Sequence, residues 1–286
     1  MKQYTLGLYE KAMPNELTLR EKLDTAARCG FDRLELSVDE SEEKLSRLEK
    51  PAQWRRELAV ASLDAGVPIT TLCLSGHRKY PLGSHDPAVR RRSLEIMEGA
   101  LALGAEIGVR LIQLAGYDVY YEPGDGDTRR WFLENLERSA EMAASFGIAL
   151  GFETMETPFM DTTQKAMDYV ARVNSPYLGV YPDIGNLKNA AVLYGGSVTQ
   201  DLETGRGHIF AAHLKETRPG VYRDMTFGSG GHTEYTPCIR TLWSQGVRMY
   251  TGEFWYHPGE DYLGQIAAAA RFLREKIQPI VGETHA

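Results

Sequence analysis

The chain of 286 residues is 43% hydrophobic and 25% charged, the balance of a packed globular protein, which excludes collagen-like and disordered chains. Its 39 acidic residues against 32 Lys and Arg leave a net charge of −7, the wrong sign for a surface that binds nucleic acid or an anionic membrane. Cys29, Cys73 and Cys238 are too few and too widely spaced for a disulfide framework or a CxxC metal site. The opening MKQYTLGLYEKAMP lacks the apolar centre of a signal peptide, and no apolar run reaches the ~20 residues of a membrane span, so a cytoplasmic location is expected.

Eight short apolar runs follow in chain order: YTLGLY from Tyr4, DRLELSV from Asp32, ITTLCLS from Ile69, RLIQLAG from Arg110, IALGFET from Ile148, YLGVYPD from Tyr177, IFAAHLKE from Ile209 and RMYTGEFWY from Arg248. Stretches of helical period separate them, notably Asp86 to Gly108, with an apolar stripe at Ala88, Leu94, Met97, Leu101 and Ile107, and Asp127 to Phe146. Five runs are preceded by a glycine placed to stop a helix: Gly30, Gly66, Gly108, Gly147 and Gly246. Alternating strands and helices predict a parallel sheet. The first loop, YEKAMP, carries no GxGxxG, so eight βα units predict a closed (β/α)8 TIM barrel, the α/β class, rather than an open nucleotide-binding sheet. No linker or low-complexity tract divides the chain, and a single domain over 1–286 is expected. The long loops Ser75 to Pro87, Gly116 to Thr128 and Glu216 to Thr236 all follow strands, on the face where barrels place their active sites.

The last four strands end in residues that can hold a metal: Glu153 in GFET, Asp183 in YPDIGNL, His213 in AAHLKE and Glu253 in TGEFW. Adjacent parallel strands lie ~4.8 Å apart, so equivalent strand ends converge on one point. Carboxylates ~4 Å apart repel by roughly 4 kcal/mol per pair at an effective dielectric of ~20, and a divalent cation neutralises that repulsion. Three oxygen ligands and one imidazole suit one divalent ion, foremost Mn(II), with Zn(II), Co(II) and Mg(II) as alternatives.

The segments GFETME, YPDIGNL, GHIFAAHLKETRPGVY and TGEFW resemble the L-ribulose-5-phosphate 3-epimerase group of the xylose-isomerase-like barrels. The similarity extends through LGLYEKAMP, LELSVDES, LCLSGHRKYPLGS and LIQLAGYDVYY, nearly the whole chain. The resemblance implies a cytoplasmic, homodimeric enzyme that inverts carbon 3 of a ketopentose 5-phosphate in pentose or ascorbate breakdown. It further implies Glu153, Asp183, His213 and Glu253 as the metal ligands, with Glu153 and Glu253 exchanging the proton. Gly151-Phe152, Phe254-Trp255 and a long Leu187 to Gln200 stretch depart from the pattern.

Epimerisation needs a base on one face of the carbon and an acid on the other, which two carboxylates supply. A phosphate needs cations or convergent N–H groups, for which Lys215, Arg218 and Ser229 in the glycine-rich loop after strand 7 are candidates, with His77 of the HRK cluster as a competitor. Glu35 and Gln113, at strand ends, are candidates for the sugar hydroxyls or for structural bonds at the barrel mouth. His85, His208, His232, His257 and His285 fall in loops, at strand starts or at the tail, where solvated roles are expected. Rival functions are an aldose-ketose isomerase or an epimerase of unphosphorylated sugars, a metal-dependent endonuclease, and a sugar-binding module. The scattered histidines and negative charge disfavour the endonuclease.

Overall fold

The computed structural model describes residues 2–283. All eight expected runs form strands: β1 (Thr5–Tyr9), β2 (Arg33–Ser37), β3 (Ile69–Leu74), β4 (Leu111–Ala115), β5 (Ala149–Glu153), β6 (Leu178–Val180), β7 (Ala212–Leu214) and β8 (Met249–Gly252). Each pairs in parallel with its sequence neighbour from β1 to β6, while β8 pairs with both β1 and β7. Bridges Val180↔Ile209 and Asp183↔His213 join β6 to β7, and the sheet closes into the expected barrel.

Parallel neighbours need a crossover, which helices supply. They are α1 (Leu19–Arg28), α2 (Glu42–Leu45), α3 (Ala52–Asp64), α4 (Pro87–Ile107), α5 (Gly126–Phe146), α6 (Thr163–Val173), α7 (Ile184–Tyr194), α8 (Val198–Thr204), α9 (Tyr235–Ser244) and α10 (Tyr262–Glu283). Local chemistry sets their ends. Thr18 and Glu21 cap α1 reciprocally, and Asp86 with Pro87 starts α4. The five predicted glycine stops all take left-handed backbone, with φ from 65° at Gly147 to 97° at Gly108. The long stretch at Leu187 to Gln200 resolves into the end of α7, a Gly195-Gly196 break and the start of α8. None of the helices among the described residues is long and apolar enough to cross a membrane.

Strand alternation divides the side chains between two environments. Leu6, Leu8, Leu34, Leu36, Ile112, Leu114, Leu150 and Phe152 join the hydrophobic layer between sheet and helices. The intervening positions point into the barrel, whose floor is polar: Arg33, Thr71 and Thr251 are fully buried there, opposite Gly7. A Cβ at Gly7 would lie 2.7 Å from the Arg33 guanidinium carbon, so this glycine makes room for a large buried cation. One step higher come Tyr9, Glu35, Cys73, Gln113, Glu153, His213 and Glu253, at the C-terminal rim.

Candidate active site

Glu153 ends β5, Asp183 lies three residues past β6, His213 is the middle residue of β7, and Glu253 follows β8. One ligand atom from each of the four lies within 4.8 Å of those of the others, and all four residues are buried. Asp183 is also the N-cap of α7: its Oδ1 accepts the Asn186 N–H at 2.8 Å, which turns Oδ2 toward the cluster. His213 Nδ1 stands 3.3 Å from Glu253 Oε2, 3.5 Å from Glu153 Oε1 and 3.9 Å from Asp183 Oδ2.

Lys215 adds a buried ammonium 3.0 Å from Asp183 Oδ2 and 3.1 Å from Glu253 Oε2. These contacts are ion pairs without hydrogen-bond alignment, so Asp183 Oδ2, Glu253 Oε2 and His213 Nδ1 remain buried with no hydrogen-bond partner. Burial, reinforced by Glu253, pushes the Glu153 carboxyl up. Burial likewise drives Asp183, despite Lys215, up to about 8. Burial opposes the charge of Glu253 too, but Lys215 and His213 outweigh it and hold this carboxyl well below its usual range. Three crowded carboxylates, two of them with an unpartnered oxygen, facing an unpartnered imidazole nitrogen, form a donor set that fits one divalent cation.

The other sequence candidates divide. Gln113 belongs to the site: its Nε2 donates to Glu153 Oε2. Glu35 sits behind His213 rather than in the cleft, its Oε1 2.6 Å from Nε2 of that histidine. Lys215 lines the cleft but faces the carboxylates. His77, Arg218 and Ser229 are not among the cleft residues. His77 is buried with its Nε2 against the Ser93 carbonyl at 3.1 Å, and burial lowers its pKa to about 4, which leaves it no charge for a phosphate at neutral pH. Arg218 instead donates to the Ser229 carbonyl at 3.3 Å, so the two close their loop on itself. The 3-10 turn Ser75–Arg78 explains the misplaced cation: it buries His77 and delivers Ser75 and Arg78 to the cleft.

The cleft above the quartet, about 480 Å³ with its space open to solvent included, is lined also by Tyr9, Lys11, Cys73, Glu156, Arg223 and Trp255, none of them among the sequence candidates. Lys11, in the first loop, and Trp255, just past Glu253, lie directly beyond strand ends, the one signal that could have found them. Of the histidines expected on the surface, His85 bridges Glu122 and Asp125, His257 lies 3.6 Å from Asp224, and His285 falls outside the described residues.

A family model for the xylose isomerase-like TIM barrel matches residues 23–276, and the chain belongs to that family. The L-ribulose-5-phosphate 3-epimerase UlaE of Escherichia coli O139:H28 is 41% identical over 277 residues, 96% of each chain. The enzyme of the same name from Escherichia fergusonii is 40% identical with the same coverage. Among solved structures, an L-ribulose 3-epimerase superposes with a TM-score of 0.78 at 16% identity, covering 99% of this chain and 97% of the other. A D-tagatose 3-epimerase-like protein gives 0.79 at 17% identity, covering 99% and 100%. These two share the fold. The resemblance first carried by the strand-end motifs therefore extends along the chain.

Proposed function

We propose that this chain is an L-ribulose-5-phosphate 3-epimerase, interconverting L-ribulose 5-phosphate and L-xylulose 5-phosphate. The observation that carries the proposal is the buried convergence of Glu153, Asp183, His213 and Glu253 beneath an open cleft. Identity of 41% along 96% of both chains with an enzyme of that name supports it. In this reading the four side chains hold one divalent ion, foremost Mn(II), with Zn(II), Co(II) and Mg(II) as alternatives. When bound, the ion supplies Lewis-acid stabilisation of the negative charge that develops as the proton beside a ketone leaves.

The remaining chemistry belongs to side chains. Glu153 and Glu253 reach the cluster from β5 and β8, the two outer members of the four-strand arc. One takes the proton from carbon 3 and the other returns a proton to the opposite face, with the roles exchanged in the reverse direction. Gln113 holds Glu153 in place through its Nε2. Lys215, in ion-pair reach of Asp183 and Glu253, keeps positive charge beside the reacting carbons.

The phosphate falls to the cations at the cleft mouth: Lys11, Arg78 and Arg223. Lys11 pairs with Asp39 at 2.6 Å and Arg223 with Glu156 at 3.5 Å. Arg78 makes no salt bridge among the described residues. It lies over the Tyr117 and Tyr120 rings, 5.7 and 4.9 Å from their centroids, which leaves its guanidinium available for a bidentate phosphate contact. The proposal extends to a single barrel domain over the whole chain, acting as a cytoplasmic homodimer in pentose or ascorbate breakdown.

The test is NMR of L-ribulose 5-phosphate in deuterated water. Wild type should incorporate deuterium at carbon 3 with the carbonyl unmoved. Chelation or Glu153→Gln should slow this by about 10²–10⁴. Full exchange in Glu153→Gln would end the role given to that residue, and a carbonyl shifted to carbon 1 would make the enzyme an aldose-ketose isomerase.

A further inference from the structure

The polar floor of the barrel has no place in the chemistry above, and burying a guanidinium there is costly. Arg33 is 1% exposed and forms no direct ion pair among the described residues. Its Nη1 donates to Thr71 Oγ1 at 2.8 Å and its Nη2 to Thr251 Oγ1 at 2.8 Å. Thr251 Oγ1 lies 2.6 Å from the Tyr181 hydroxyl, and Tyr181 donates to Glu35 Oε2 at 2.7 Å. The other oxygen, Glu35 Oε1, meets His213 Nε2 at 2.6 Å.

Donor and acceptor chemistry fixes the directions at both ends of this chain. A guanidinium has donors only, an ionised carboxylate has acceptors only, and each hydroxyl owns one proton. With Tyr181 donating to Glu35 Oε2, Thr251 can give its proton to Tyr181 at 2.6 Å or directly to Glu35 Oε2 at 3.5 Å, and its lone pair accepts from Arg33. Glu35 is fully buried with both oxygens engaged, Oε1 by His213 and Oε2 by Tyr181. His213 must then donate from Nε2, and its Nδ1 lone pair faces Glu153, Asp183 and Glu253.

We propose that Arg33 is a positioning residue for the metal centre, acting through Thr251, Tyr181 and Glu35 to fix His213 in the tautomer and ring orientation that present Nδ1 to the cation. The inference rests on the metal-binding reading above and reaches into the polar layer beneath it in the barrel. It explains why Gly7, rather than a side chain, stands opposite Arg33.

The test uses the full chain loaded with Co(II), with affinity measured by competition against a chelator and ligand geometry read from the visible absorption bands. Tyr181→Phe, which removes one oxygen, should weaken Co(II) binding about 10–100-fold and shift the bands. Glu35→Gln should do at least as much, and the double variant no more than Glu35→Gln alone, because Tyr181 acts through Glu35. Thr251→Val should behave like Tyr181→Phe, while Thr251→Ser, which keeps the hydroxyl, should restore wild-type affinity and bands; this pair decides the matter if Tyr181→Phe does not fold. Variants that bind Co(II) within twofold of wild type with unchanged bands would overturn the chain and leave the metal site standing. Wild type binding no more tightly than Asp183→Ala would overturn both.

Discussion

Glu10, the residue after β1, is completely buried and holds three cations from three different elements. Its carboxylate accepts from Lys22 of α1 at 2.9 Å, Lys44 of α2 at 2.5 Å, and Arg47 at 2.6 and 2.8 Å. The backbone N–H of Ser37 at the end of β2 adds a fifth bond at 2.9 Å. Glu10→Gln keeps the shape and removes the only negative charge in this cluster, leaving buried ammonium and guanidinium groups without a counterion. Breaking a buried pair in this way costs about 3–5 kcal/mol. At about 2–4 °C per kcal/mol for a chain of this size, the unfolding temperature should fall by roughly 10 °C.

The pH dependence follows from the direction of the shift. Burial opposes ionisation of Glu10, but Arg47, Lys22 and Lys44 outweigh it and hold the folded-state pKa well below the ordinary carboxylate range. The stabilisation is therefore fully present above the unfolded-state pKa and disappears as pH falls through the folded one. Differential scanning calorimetry at pH 7 should show the full gap between wild type and Glu10→Gln, and the gap should narrow below about pH 4. Equal unfolding temperatures at pH 7, or a gap that widens in acid, would refute the assignment of this cluster as a charge-balanced clamp on the first two loops.

Arg78→Ala should raise KM for L-ribulose 5-phosphate about 10–100-fold, the loss of a charge-assisted hydrogen bond, and leave turnover of free L-ribulose unchanged. A parallel loss on both sugars would remove Arg78 from phosphate recognition. His77 is neutral when folded and is protonated more readily when unfolded, so wild-type stability should decline as pH falls from about 6.5 toward 4, by on the order of 3 kcal/mol. His77→Leu should flatten that part of the denaturation profile, and an unchanged slope would contradict the burial of a neutral imidazole. Removing a cation held at 100-fold over its Kd costs about 2.7 kcal/mol, so chelation should lower the unfolding temperature by several degrees and Mn(II) should restore it. An unfolding temperature indifferent to chelator would count against a tightly held ion.

The sequence alone determined the barrel and the four strand-end residues that converge at its mouth. Strand runs alternate on a period of two, helices end at glycines such as Gly108 and Gly147 that take left-handed backbone, and these signals are local in the chain. Because each metal-ligand candidate falls at an equivalent strand end, parallel pairing brings Glu153, Asp183, His213 and Glu253 together without further information. Only the tertiary structure decided which neighbouring polar groups face the cleft. A 3-10 turn put Arg78 rather than His77 there, and loop closure turned Arg218 toward Ser229. Ring closure carried Glu35 behind His213, 178 residues away in sequence, and set Arg33 beneath it. Those outcomes depend on side-chain direction and on contacts across the barrel, where hydrogen-bond satisfaction in a closed space selects a partner that no local pattern specifies.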